Sequence, residues 1–139
     1  MKKFEYPDIT TSDVAFRAYG KDLAELFANS GLALMEVTVN TKQIKPKVMK
    51  HIILQARDLK ALMFDWLSEL IFFIDSENLA LVKFELKVDE KALKLEGTAW
   101  GETMDPDRHE TRTHVKACTY HKMEIKKNKL WSAQVILDI

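Results

Sequence analysis

The chain has 139 residues, with 21 Lys plus Arg set against 21 Asp plus Glu, so its formal net charge at pH 7 is zero. That balance argues against a dedicated nucleic-acid binder, which carries a basic excess. Apolar residues make up 47% and charged residues 30%, the composition of an ordinary globular domain long enough to bury a core without disulfides.

One cysteine, Cys118, rules out an internal disulfide and fits a reducing compartment. The start, MKKFEYPDI, has no apolar run behind its charges and does not read as a signal peptide. The most apolar stretch, LMFDWLSELIFFI, is interrupted by Asp65, Ser68 and Glu69 and is too short to span a bilayer. The expectation is one cytoplasmic domain over residues 1–139.

In chain order, Phe4 to Tyr6 reads as a short strand, and Val14, Phe16 and Ala18 alternate as a second that Gly20 ends. Asp22 with Glu25 three positions on forms a capping box. Leu23, Leu26, Phe27, Ser30, Leu34 and Val37 then recur at helical spacing, which predicts a helix over 22–37. Asn40 to Pro46 is a loop and Val48 to Ala56 a strand. Asp58 caps a second helix with a broad apolar face that includes Trp66 and Phe73, expected in the core; it ends near Asp75 to Asn78.

Ala80 to Val88 alternates as a half-buried strand, Asp89 to Lys91 turns, and Leu93 to Ala99 returns. Gly101 to Arg112 is a polar loop of a length often functional or mobile. Two closing strands, Val115 to Ile125 and Leu130 to Ile139, complete the order ββαβαββββ. The expected class is α+β, with two main helices packed on antiparallel β-sheets of about seven strands.

The last hairpin can be tested for register. With residue 124 opposite 130, Val115, Ala117, Thr119, His121 and Met123 face Ile139, Leu137, Val135, Ala133 and Trp131, and that face is almost wholly apolar. Sliding one strand by a residue would put polar side chains against apolar ones, so burial favours this pairing. It makes Lys116 and Asp138 a direct cross-strand pair and places His121 in the core. Asp138 and the carboxylate of Ile139 would crowd two anions, which a cation, or a divalent metal with its preference for carboxylate oxygens, would relieve.

Much common chemistry is missing. Gly20, Gly31, Gly97 and Gly101 form no phosphate-cradling loop, and His51, His109, His114 and His121 are scattered without a zinc motif. Cys118 lies between Lys116 and Tyr120, neighbours that can lower a thiol pKa, but no histidine or glycine elbow supports it as a nucleophile. Lys122, Lys126, Lys127 and Lys129 cluster at one turn and read as solvated charges. Nothing assembles a self-sufficient active site.

Several spaced segments, in order and nearly end to end, resemble the archease family. TSDVAFRAYG is similar to its N-terminal signature, DLKALMFDWLSELIFFID to its second helix, WGETMDPDRHETRTHVKACTYHKMEI to its most characteristic stretch, and WSAQVILDI to its closing strand. The resemblance implies a protein cofactor, not an enzyme: an activator of RtcB-type RNA ligase in tRNA splicing and RNA repair. Such an activator promotes guanylylation of the ligase and multiple turnover, and meets RNA only indirectly.

The resemblance also implies a metal-binding acidic pocket. By matching motifs, Asp13 and Asp138 are its aspartates, Ile139 its terminal carboxylate and Lys116 its functional lysine. The expected metal is calcium, with magnesium or manganese as alternatives. Glu102, His109 and Glu110 match positions of the family's long loop and are candidate partner contacts, or else caps and turns that stabilise the loop. Thr10 stands where the family signature usually has histidine, so no histidine role carries over. Asp8 is a weaker spare carboxylate. The alternative function is a small chaperone-like modulator of an RNA-modifying enzyme such as a tRNA methyltransferase.

Overall fold

A computed structural model describes all residues, 1–139. The elements are β1 (Phe4–Glu5), β2 (Val14–Gly20), α1 (Leu23–Thr38), a 3-10 turn (Thr41–Gln43), β3 (Val48–Gln55), α2 (Leu59–Glu77), β4 (Leu79–Asp89), β5 (Lys94–Thr103), β6 (Ala117–Cys118), β7 (Glu124–Lys127) and β8 (Trp131–Asp138). The class is the expected α+β, with eight strands in two antiparallel sheets. One sheet runs β1-β2-β8-β6, with β7 also on β8, and the other runs β3-β5-β4. No helix is long and apolar enough to cross a membrane.

Local chemistry explains both helix starts. The Asp22 side chain accepts the Glu25 N–H at 2.8 Å, and Asp58 accepts that of Ala61 at 2.8 Å, satisfying donors that a first helical turn leaves unpaired. Glu25 reaches back to the Lys21 N–H at 2.9 Å, one residue short of the usual capping-box partner. Helix α2 stops at Asn78, which takes the left-handed conformation (φ 53°) and so turns the chain directly into β4.

The two helices carry one core of 31 buried residues. Helix α1 packs on β2 and β8 of one sheet and β4 of the other, while α2 packs on β3, β4 and β6. Trp66 is fully buried and its indole N–H donates to the Phe27 carbonyl at 2.8 Å, which ties α2 to α1. Gly31 lets that crossing close: a β-carbon there would lie 3.1 Å from both Leu70 and Trp66. Trp66 and Phe73 are both core residues, as their spacing predicts.

The stretch from Val115 to Ile125 departs from expectation. It is not one strand but two short ones, β6 and β7, on the same edge of β8. Between them the chain turns, with Lys122 at φ 55° and the Met123 N–H on the Tyr120 carbonyl at 3.1 Å. The turn buries Met123 and stacks Tyr120 on Phe64 of α2, ring centroids 4.4 Å apart. It also puts His121 in solvent, so His121 is not a core histidine.

The register changes accordingly. Ala117, not Lys116, faces Asp138, and Gln134, not Leu130, faces Glu124. Alternation alone could not see this, because it credits every second residue with burial and makes no provision for a residue at positive φ. The aromatic stack and the Met123 burial stand in place of the ladder bonds that a continuous strand would have made.

Candidate functional site

Strand β8 pairs on one side with β2, where Val14 faces Leu137, Phe16 faces Val135 and Ala18 faces Ala133. Phe16, Ala18, Ala133, Val135 and Leu137 belong to the core. The ladder ends at Val14 and Leu137: Asp13 is the residue before Val14, in a bend ahead of β2, and Asp138 is the residue after Leu137. On β8, Asp138 is one step from core-facing Leu137 and so falls on the sheet's outer side, as do Arg17 and Gln134, whose side chains hydrogen-bond further along. Both aspartates are half-buried. Carboxylates brought close together repel unless a cation lies between them.

On its other side, β8 meets β6. The Lys116 N–H donates to the Asp138 carbonyl at 2.8 Å. Lys116 therefore stands at this corner through its main chain, and its exposed ammonium makes no ion pair within 4.0 Å, with Asp138 or any other acid. The direct side-chain pair expected from the hairpin is absent because the register places Ala117 there. Ile139 is half-buried and packs against the core, which holds the last residue in place. The structure thus brings Asp13, Asp138, Ile139 and the backbone of Lys116 to one end of β8, and leaves Asp8 in the exposed segment ahead of β2.

The donors at this corner are all oxygens, the set preferred by hard cations such as calcium. No three His, Cys, Asp or Glu side chains gather anywhere into a metal cluster. A metal here would need Asp13, Asp138 and a main-chain carboxylate together. Cys118, next along β6, is buried, and burial pushes its thiol up to about 12. The lowering influence expected from Lys116 and Tyr120 is not what the fold delivers.

The long loop after β5 is fastened at both ends rather than loose. Asn78 and Met104 exchange two hydrogen bonds, and the Arg112 and Thr113 N–H groups donate to Thr38 and Val37 at the end of α1. Helix α1 has no basic residue in its last turn, so these loop donors satisfy carbonyls that a helix end otherwise leaves to water.

Glu102 is the hub of the loop. It is 3% exposed and accepts from Arg108 at 2.8 Å and from the Lys45 N–H at 2.7 Å. The Arg108 guanidinium first, and the Lys45 amide second, hold its carboxyl down at about 2. His109, 4% exposed, accepts the Asp105 N–H at Nδ1 (2.9 Å), which leaves its ring hydrogen on Nε2, 3.2 Å from Glu102. Glu102 and His109 therefore hold the loop together from within and expose little surface. Glu110 is exposed and holds Arg112 at 2.7 Å. Sequence reading missed Arg108 and Arg112; the only signal was their spacing from Asp105 and Glu110, which many solvated charges share.

The model of the Archease protein family matches residues 4–139. The chain belongs to the archease family. It is 42% identical over 140 residues to the protein archease of Sulfurisphaera tokodaii and 43% identical over 142 residues to that of Methanothermobacter thermautotrophicus, covering 100% of each chain in both cases. The archease of Pyrococcus abyssi is 38% identical, again with 100% of both chains covered. The solution structure of Methanobacterium thermoautotrophicum protein 1598 superposes with a TM-score of 0.84, at 42% identity and with 100% of both chains covered. Family and fold therefore agree, and they fit a non-enzymatic archease role.

Proposed function

We propose that this chain activates an RtcB-type RNA ligase in tRNA splicing and RNA repair, promoting ligase guanylylation and multiple turnover. The acidic corner at the end of β8 is its working part. Asp13, Asp138 and the Ile139 carboxylate hold a divalent cation, calcium or else magnesium or manganese, and Lys116 lies beside them. The cation supplies positive charge between carboxylates that would otherwise repel. Asp138 accepts Lys116's amide through its carbonyl and keeps its carboxylate for the cation, while the anchored Ile139 limits fraying of the strand end.

The observation that supports this reading is the β2–β8 ladder, which ends with Val14 facing Leu137 and so leaves Asp13 and Asp138, 125 positions apart in sequence, as the next residues of two adjoining chain segments. Docked on the ligase, the corner favours the conformation that accepts guanylate, a population shift that needs no chemistry from the activator itself. The test is ligation of broken RNA with GTP and excess ligase at sub-stoichiometric amounts of this chain. Wild type should raise the number of turnovers, and Asp138→Ala or Lys116→Ala should not. Full stimulation by both variants would overturn the reading.

A further inference from the structure

The end of the first sheet opposite the acidic corner gathers lysines from three separated parts of the chain. In β1 Phe4 faces Ala18, and the Lys3 carbonyl accepts the Tyr19 N–H at 2.9 Å, so Lys3 stands beside Tyr19. Tyr19 faces Ser132 on β8, and Ser132 faces Lys126 on β7. One row across the sheet thus begins and ends in lysine, three strand spacings or about 14 Å apart. The next row out has Gly20 facing Trp131 and Trp131 facing Lys127, with side chains on the sheet's other face, and Lys2 precedes β1. Lys21 and Lys129 follow just beyond the strand ends.

All six lysines are exposed. Only Lys2 and Lys126 lie within 4.0 Å of a carboxylate, Glu5 at 3.5 Å and Glu124 at 3.2 Å. The nearby acids keep their charge, with Asp22 and Glu25 capping the start of α1, Glu5 taking the Tyr19 hydroxyl and Glu124 holding Lys126, so six lysines stand against four carboxylates. The chain as a whole is neutral, so this rim is a local excess that composition conceals. In sequence only the lysines around one turn were visible, and they read as solvated; the fold adds Lys2, Lys3 and Lys21 to them.

We propose that this rim is a docking surface for a nucleic-acid strand, held through its phosphates. Charge complementarity requires a polyanion, and two features favour nucleic acid over an acidic protein. Protein interfaces deplete lysine and present bare aromatic anchors at an apolar centre, whereas here the Lys127 ammonium covers the Trp131 ring at 5.5 Å. The rim has no arginine, the residue suited to paired recognition of carboxylates, while lysines act as point charges toward phosphates. Contacts of this kind position a strand without reading its sequence. The rim lies at the start of β8 and the acidic corner at its end, seven residues or roughly 23 Å away, so both can be engaged at once. The proposal does not depend on the ligase reading.

The test is fluorescence anisotropy of a labelled, mixed-sequence single-stranded RNA titrated with the full chain over a range of salt. Binding should weaken linearly in log–log form, with a slope of about −0.7 per phosphate neutralised. The variant Lys3→Gln/Lys126→Gln/Lys127→Gln should bind at least about tenfold more weakly at low salt, with the slope shallower by about 2. A charge-matched control, Lys60→Gln/Lys87→Gln/Lys91→Gln, should bind as wild type. The same sequence as DNA should bind comparably if phosphates are the contact. Absence of salt-dependent binding, equal loss in the control, or competition by polyglutamate as effective as by unlabelled RNA would overturn the proposal.

Discussion

Asn78 and Met104 hold each other by two hydrogen bonds: the Asn78 side-chain amide donates to the Met104 carbonyl and the Met104 N–H donates to the Asn78 carbonyl, each at 2.9 Å. Asn78 ends α2 in a left-handed conformation, and Met104 opens the long polar loop. The pair fixes where the loop leaves the sheet. Asn78→Ala should destabilise the fold by about 1–2 kcal/mol, combining left-handed strain with one lost hydrogen bond. Asn78→Gly keeps the backbone permission and should cost under about 1 kcal/mol. Thermal or urea unfolding ranks the two, and an Asn78→Gly at least as damaging as Asn78→Ala would refute the cap.

Glu102 organises that loop as an ion. Its folded pKa is about 2 against a reference of 4.5, so it binds protons less readily folded than unfolded. Its stabilising contribution is therefore complete above pH 4.5 and is lost as pH falls from 4.5 toward about 2. Glu102→Ala should cost about 2–3 kcal/mol at neutral pH, the scale of hydrogen bonds to a charged group. Glu102→Gln should flatten the pH dependence of unfolding in that acid window. An unaltered acid limb in Glu102→Gln would show that the carboxylate is not what the loop leans on.

Cys118 is 4% exposed with its thiol pushed up to about 12, so at neutral pH it supplies far less thiolate than an ordinary cysteine. A thiol reagent should label the native chain more than about a hundredfold slower than the unfolded chain. Rapid stoichiometric labelling of the native chain would reject the burial and reopen a reactive role.

If Asp13, Asp138 and the Ile139 carboxylate bind a divalent cation only when folded, calcium or manganese at about 100 times its dissociation constant should add about 2.7 kcal/mol. The readout is a rise in melting temperature that Asp13→Asn and Asp138→Asn abolish. Melting temperatures indifferent to every divalent ion would remove the metal from the account.

What could be read in advance divides along local and non-local lines. Both helices were legible because Asp22 and Asp58 mark their starts and the apolar spacing from Leu23 and Leu59 is unmistakable. The β4–β5 hairpin was legible from alternation, though its turn runs on to Leu93, where the φ of 53° carries no signal in a leucine. The break after Cys118 was not legible, because it depends on Tyr120 finding Phe64 in another element. The same limit applies at the site. The place of Asp13 came from family resemblance, since only the β2–β8 pairing brings its neighbour Val14 to Leu137, the neighbour of Asp138. The hub around Glu102 was invisible because its partners, Lys45 and Arg108, lie on separate loops. The lysine rim needed all three strand pairings at once.

The most direct measurement is single-turnover guanylylation of an RtcB-type ligase by labelled GTP, with and without a stoichiometric amount of this chain. Wild type should increase the yield of the covalent ligase–guanylate, while Asp138→Asn and Lys116→Ala, folded and as stable as wild type without metal, should leave the yield at that of ligase alone. Equal stimulation by wild type and both variants would contradict the assignment of the β8 corner as the working part.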